Sequence, residues 1–112
     1  MILPFFSCKQ DQENPKYIVT TRVQIKDGEI DKVLELFKDT NPELVKDQTD
    51  WVKAVFSKNE ETNTVVVQAY WKKKESYLNF SSSPDFQKTM KEFGQYFMGR
   101  PDIEINEILF EM

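Results

Sequence analysis

The sequence predicts an α+β fold of β-α-β-β-α-β order: a four-stranded antiparallel sheet with two helices on one of its faces. Three observations predict it. Strand-like segments stand at residues 17–25, 51–57, 64–71 and 102–110. Apolar residues recur at helical spacing in the two long intervals, after the first strand and after the third. At 112 residues with 39% hydrophobic content, the chain has material for one core and no more.

Each element has its local reason. Residues 17–25 are rich in β-branched side chains, and Asp27-Gly28 ends them with a turn. Ile30, Val33, Leu34 and Phe37 then recur at i, i+3, i+4 and i+7, with acidic residues in the first turn. Asn41-Pro42 is expected to interrupt that helix, with residues 43–47 adding a further turn or two. Residues 51–57 alternate as a second strand, 58–63 form a polar hairpin loop, and 64–71 form a third strand. Val65-Val66-Val67 at its centre suggests a strand covered on both faces. The second helical region starts near Lys74 and breaks at Ser81-Ser82-Ser83-Pro84. Ser83 is a suitable N-cap, Pro84 suits the first helical position, and Asp85 favours the positive end of the helix dipole. Phe86, Met90, Phe93 and Phe97 form one stripe beyond it, and Gly99-Arg100-Pro101 stops the helix before the last strand.

Two β-α-β halves joined by a hairpin describe a ferredoxin-like topology. Both helices cover one sheet face, which leaves the other without a cover. Residues such as Val66, Val52 or Val65, depending on register, are expected on that bare face, and a contiguous apolar patch of this kind marks an interface. Stacking two copies through their sheets buries it, giving a homodimer closed as an α+β barrel. A pocket is expected in each copy, between the helices and the sheet.

Composition excludes more than it assigns. The chain has no His, which removes imidazole bases, Ser-His-Asp and Cys-His arrangements, histidine-bound zinc and proximal-histidine haem. Fifteen basic against nineteen acidic residues, with Arg22 and Arg100 the only arginines, argue against nucleic acid as a partner. The carboxylates Asp102, Glu104 and Glu107 fit no metal-site spacing, so no metal is expected. Aromatic residues make up 13% of the chain, enough to fill the interior or line a cavity.

Residues 1–15 read as an N-terminal arm, with the domain itself at 16–112. The apolar run before Cys8, followed by a polar stretch to Pro15, resembles the tail of a bacterial lipoprotein signal with its tether. On that reading Cys8 is lipidated and the chain is held at a membrane. As the sequence is written, the run is short and lacks a basic segment, which points to a cytoplasmic protein with a frayed arm.

The stretch VVVQAYWKKKESYLNFSSSPDF resembles the antibiotic biosynthesis monooxygenase (ABM) family. The resemblance rests on Trp71 at the strand end, Glu75 in the first turn of the helix, and the Ser83-Pro84-x-Phe86 step. The Gly28 turn and the element order agree with it, and the likeness covers about residues 17–112. It implies a dimeric α+β barrel and a small oxygenase working on phenols or quinols with no cofactor, neither metal nor flavin. The family's haem-degrading branch has Asn, Trp and His where this sequence has Thr21, Phe80 and Met90. Its quinol-oxidising branch commonly has His at the positions of Phe80 and Asp85.

The functional expectation is therefore an ABM-like monooxygenase that oxidises a small apolar or aromatic molecule. The alternative is a non-catalytic module binding such a molecule on the same scaffold, and haem binding without the family's usual residues stands third. Candidate catalytic groups are Arg22, as a cation for a phenolate, Asn79, as a donor to a ligand carbonyl, and Tyr77, as a pocket hydroxyl. Each has a plain structural reading beside it: a solvated or interfacial charge, a helix-surface amide and a core-edge ring. Thr21, Trp51, Trp71, Phe80, Phe86, Met90 and Phe93 are the candidate substrate-binding residues. For Trp71 and the Phe86-Met90-Phe93 stripe, ordinary core packing is the competing role.

Overall fold

The computed structural model describes residues 14–112. The expectations placed on Cys8 and the arm before Asn14 fall outside the described residues. The elements are β1 (Tyr17–Gln24), α1 (Ile30–Val45), β2 (Trp51–Asn59), β3 (Thr64–Trp71), α2 (Lys74–Ser81), α3 (Pro84–Phe93) and β4 (Asp102–Glu107). A 3₁₀ turn, Gly94–Tyr96, follows α3. The four strands form one antiparallel sheet in the order β2-β3-β1-β4, the ferredoxin-like arrangement expected from the sequence. Among the described residues the helices number three rather than two, because the Ser82-Ser83 step divides the second helical region into α2 and α3. No helix among the described residues is long and apolar enough to cross a membrane.

Local chemistry accounts for most boundaries. Gly28 takes φ 77° in the turn after β1, a left-handed conformation that costs glycine nothing. Ser83 caps α3: its Oγ accepts from the Phe86 N–H at 3.3 Å, with Pro84 in the first turn. α1 departs from expectation. It runs without interruption through Pro42 to Val45. Proline there removes the bond its N–H would give to the Lys38 carbonyl. The loss is confined to one bond within the last two turns of the helix. The stripe after Ser83 also ends early. α3 stops at Phe93, and Phe97 lies in extended backbone, forming an isolated bridge with Ile25. β4 ends at Glu107, short of the predicted Phe110, and Leu109, Phe110 and Met112 are exposed.

Strand alternation assigns the faces. Val19 and Val23 of β1 and Val65 and Trp71 of β3 are buried on the helical side. Val65 is fully buried there, so it does not belong to the bare face. The run Val65-Val66-Val67 is split between the faces, since only alternate residues of a strand point the same way. A register shift between Trp51 and Lys53 leaves Val52 in an irregular position. The bare face carries Ile18, Val55, Val66 and Tyr70, interspersed with Thr20, Arg22, Ser57 and Gln68. It is more mixed in polarity than the sequence reading expected.

The core is in two parts. One cluster joins Val23, Ile25, Ile30, Val33, Phe37, Val65 and Phe93 beneath α1 and α3. The second joins Val19, Trp71 and Tyr77 beneath α2, with Trp51, Ala69, Phe80 and Ile105 packed around it. At about 25 cal/mol per Å² of buried apolar surface, large side chains such as Phe37 and Trp71 dominate each cluster.

Candidate functional site: a cavity between the two core clusters

The division of the core follows from two small side chains. In the β2–β3 register Ala54 stands directly opposite Ala69, on the helical side of the sheet. Two methyl groups midway along the β2–β3 pair cannot reach the helices above. The neighbouring pairs are much larger: Trp51 with Trp71 on one side, Phe56 with Val67 on the other. The result is a cavity of about 830 Å³, partly open to solvent, with the alanine pair in its floor.

Its walls come from every layer of the fold. Val19 and Thr21 of β1 and Val67 of β3 extend the floor. Trp71, Phe80 and Phe86 make an aromatic wall, the first two rings 5.3 Å apart and the last two 5.0 Å apart, both pairs tilted. Phe37 and Phe56, 5.6 Å apart, make the wall facing it. α1 closes one side with Leu34, Asn41, Pro42 and Val45. Lys38, Lys46 and Gln48 also line the space, and the two lysines are exposed, which puts them at the rim. The surface is overwhelmingly apolar with a few convergent polar groups, the character of a small-molecule site.

Tyr77 is the buried hydroxyl of this cavity, its ring edge-on to Trp71 at 5.8 Å. Burial raises the phenol above its ordinary value of about 10, and a hydrogen bond with Ser81 offsets this in part. The hydroxyl therefore stays protonated at neutral pH, a donor rather than a base. α2 is anchored by Ser76, whose hydroxyl donates to the Asp50 carboxylate just before β2. That bond ties the helix carrying Tyr77 and Phe80 to the strand carrying Trp51. The indole Nε1–H of Trp71 is buried and has no hydrogen-bond partner among the described residues. An unmet buried donor costs about 1–3 kcal/mol, so packing alone gives an incomplete account of this tryptophan.

The structure brings Thr21, Trp51, Trp71, Phe80 and Phe86 together around one cavity, with Tyr77 beside them. Met90 and Phe93 are not in its walls; they pack in the cluster beneath α1. Arg22 and Asn79 do not reach the cavity either. Arg22 alternates with Thr21 and Val23, which sends it to the bare face, and Asn79 is exposed on α2. Sequence reasoning missed Ala54, Ala69, Phe37, Phe56 and Lys38. The alanines become informative only in the β2–β3 register, whereas Leu34, Phe37, Lys38, Asn41 and Val45 already shared a helical face in the sequence. Among the described residues no three His, Cys, Asp or Glu side chains cluster to hold a metal.

Comparisons with known proteins agree on the fold. A monooxygenase from Streptomyces coelicolor, solved in complex with the ligand nanaomycin D, superposes with a TM-score of 0.78 at 16% identity; the match covers 88% of this chain and 91% of that one. A dimeric ferredoxin-like protein from an uncultured marine organism gives 0.75 at 12% identity, over 93% and 96% of the two chains. A conserved protein from Methanosarcina mazei gives 0.72 at 15% identity, over 86% and 95%. No curated protein matches the chain by sequence. The model of the antibiotic biosynthesis monooxygenase family matches residues 16–92, from the start of β1 nearly to the end of α3 and so across every element that walls the cavity. With a ferredoxin-like sheet, an aromatic strand end at Trp71 and the Ser83-Pro84-x-Phe86 step, the chain belongs to the antibiotic biosynthesis monooxygenase family.

Proposed function

We propose that the protein is a homodimeric monooxygenase that oxidises a small aromatic molecule of quinol or polyketide type, without metal or flavin, in the cavity between its helices and its sheet. The observation that carries this reading is the aromatic-walled cavity of about 830 Å³ in a chain of this family. A flat molecule of two or three rings stacks on Trp71, Phe80 and Phe86, each aromatic contact adding about 0.5–1.5 kcal/mol beyond buried area.

An anthrone is the simplest substrate of this class. Its ring methylene loses two hydrogens and gains one oxygen atom as a new carbonyl; the second oxygen atom leaves with those hydrogens as water. The substrate supplies the electrons, and dioxygen is the sole oxidant. The chain contributes orientation, apolar walls that exclude water, and a hydrogen bond from the Tyr77 hydroxyl to the substrate oxygen as negative charge develops there. Arg22 and Asn79 have no part in this scheme.

Non-catalytic binding is the second reading, and one observation favours it. The walls contain no carboxylate, and with no His in the chain and Tyr77 held protonated, nothing in them serves as a base at neutral pH. Incubation with an anthrone under isotopically heavy oxygen gas separates the two. The monooxygenase reading expects one heavy oxygen atom in the quinone, formed faster than in buffer. Tight binding with no acceleration leaves the binding module.

The bare face of the sheet, with Ile18, Val55, Val66 and Tyr70 and no helix over it, is the surface through which two copies pair in this proposal.

A further inference from the structure

We infer that the cavity selects an aromatic acid: a flat apolar body with one carboxylate at the rim, held by Lys38 and, secondarily, by Lys46. This inference rests on the reading of the cavity as a ligand site and adds the charge of what it takes. Its basis is the way α1 and the turn after it sort their charges. Lys38 and Lys46 share the cavity side with Leu34, Phe37, Asn41 and Val45, whereas Glu35, Asp39, Glu43 and Asp47 are all absent from the lining. No acidic residue lines the cavity at all, in a chain whose acidic residues outnumber its basic ones by nineteen to fifteen. The chain carries a net negative charge, and at this opening cations alone meet apolar walls.

The two lysines are not equivalent. Lys46 is the C-cap of α1, at the negative end of the helix dipole, and it is ion-paired with Glu43. Much of its charge is answered within the chain. Lys38 stands two turns earlier and makes no ion pair among the described residues. It is the cation left for a ligand. A carboxylate there places the attached rings over Ala54 and Ala69, against Trp71 and Phe80, with Tyr77 at the buried end. The polar rim thus sets which end of the molecule enters first.

The test compares anthraquinone-2-carboxylate with anthraquinone-2-carboxamide, which share shape and differ in charge. The chain's two tryptophans, Trp51 and Trp71, both line the cavity, so quenching of tryptophan fluorescence reports occupancy there. The carboxylate is expected to bind about five-fold more tightly than the amide, and added salt should erode that margin. Lys38→Gln should remove most of the preference by weakening carboxylate binding more than amide binding, and Lys46→Gln should remove less. Equal affinity for the two probes, or a Lys38→Gln loss that falls equally on both, overturns the inference and leaves the cavity as a ligand site. If neither probe quenches either tryptophan, the ligand-site reading fails and this inference with it.

Discussion

At the scale of single residues, the site depends on what stands in the cavity wall and what does not. Tyr77 is the one buried hydroxyl there, and Tyr77→Phe removes the proposed hydrogen-bond donor while keeping the ring. Anthrone turnover should fall by about ten- to a hundred-fold, read as oxygen uptake, with ligand affinity nearly unchanged. The same substitution tests the titration. Because burial raises the folded-state value, the unfolded chain gives up this proton first as pH climbs past about 10. Stability attributable to Tyr77 is complete below that pH and is lost as pH rises toward the folded-state value. Denaturant midpoints between neutral pH and pH of about 11 should therefore fall less in Tyr77→Phe than in the parent. Thr21, Trp71 and Phe80 stand out in the sequence through the family resemblance, and all three line the cavity. Arg22 and Asn79 have the chemistry a site needs, and chemistry does not say which way a side chain points. Arg22 sits one residue from Thr21, and that single step is the whole difference between the two faces of a sheet.

At the scale of elements, strands and caps were readable because their signals are local. β1 and β3 match their predicted spans within a residue, and Ser83-Pro84 marks the start of α3 as its chemistry requires. What the sequence obscured depended on tertiary support. Pro42 reads as a break, yet α1 continues past it, packed on the cavity side beside Val45. Phe97 keeps helical spacing with Phe93, but Gly94 and the 3₁₀ turn release it to pair with Ile25. Two substitutions weigh these elements. Ser83→Ala should cost about 1 kcal/mol of stability through loss of the α3 cap, measured by urea denaturation. Phe37→Ala should cost about 3–5 kcal/mol, because Phe37 packs against both Phe93, at 4.8 Å, and Phe56. If Phe37 mattered only to the cavity wall and not to the core, its loss would register in binding with little change in midpoint.

At the scale of the whole molecule, one imbalance underlies both the proposed pairing of two copies and the cavity. Three helices lie over one side of four strands, and the alanine pair beneath them leaves the interior hollow instead of filled. The uncovered side has β-branched and aromatic residues among its polar ones, a surface suited to a second sheet more than to water alone. Val66→Glu places a charge in the middle of that face. Light scattering on the parent should give about twice the 13.3 kDa chain mass, and the variant should run as monomer or aggregate. A parent that stays monomeric when dilute and well folded would remove the dimer from the account, though not the cavity. The central claim is the cavity, and Ala69→Trp tests it by filling the floor beside Ala54 with an indole. Oxygen uptake with an anthrone, measured on parent and Ala69→Trp chains of equal thermal stability, gives the most direct answer. The account predicts uptake well above the buffer rate for the parent and close to it for the variant; equal uptake by both would place the chemistry somewhere else on the protein.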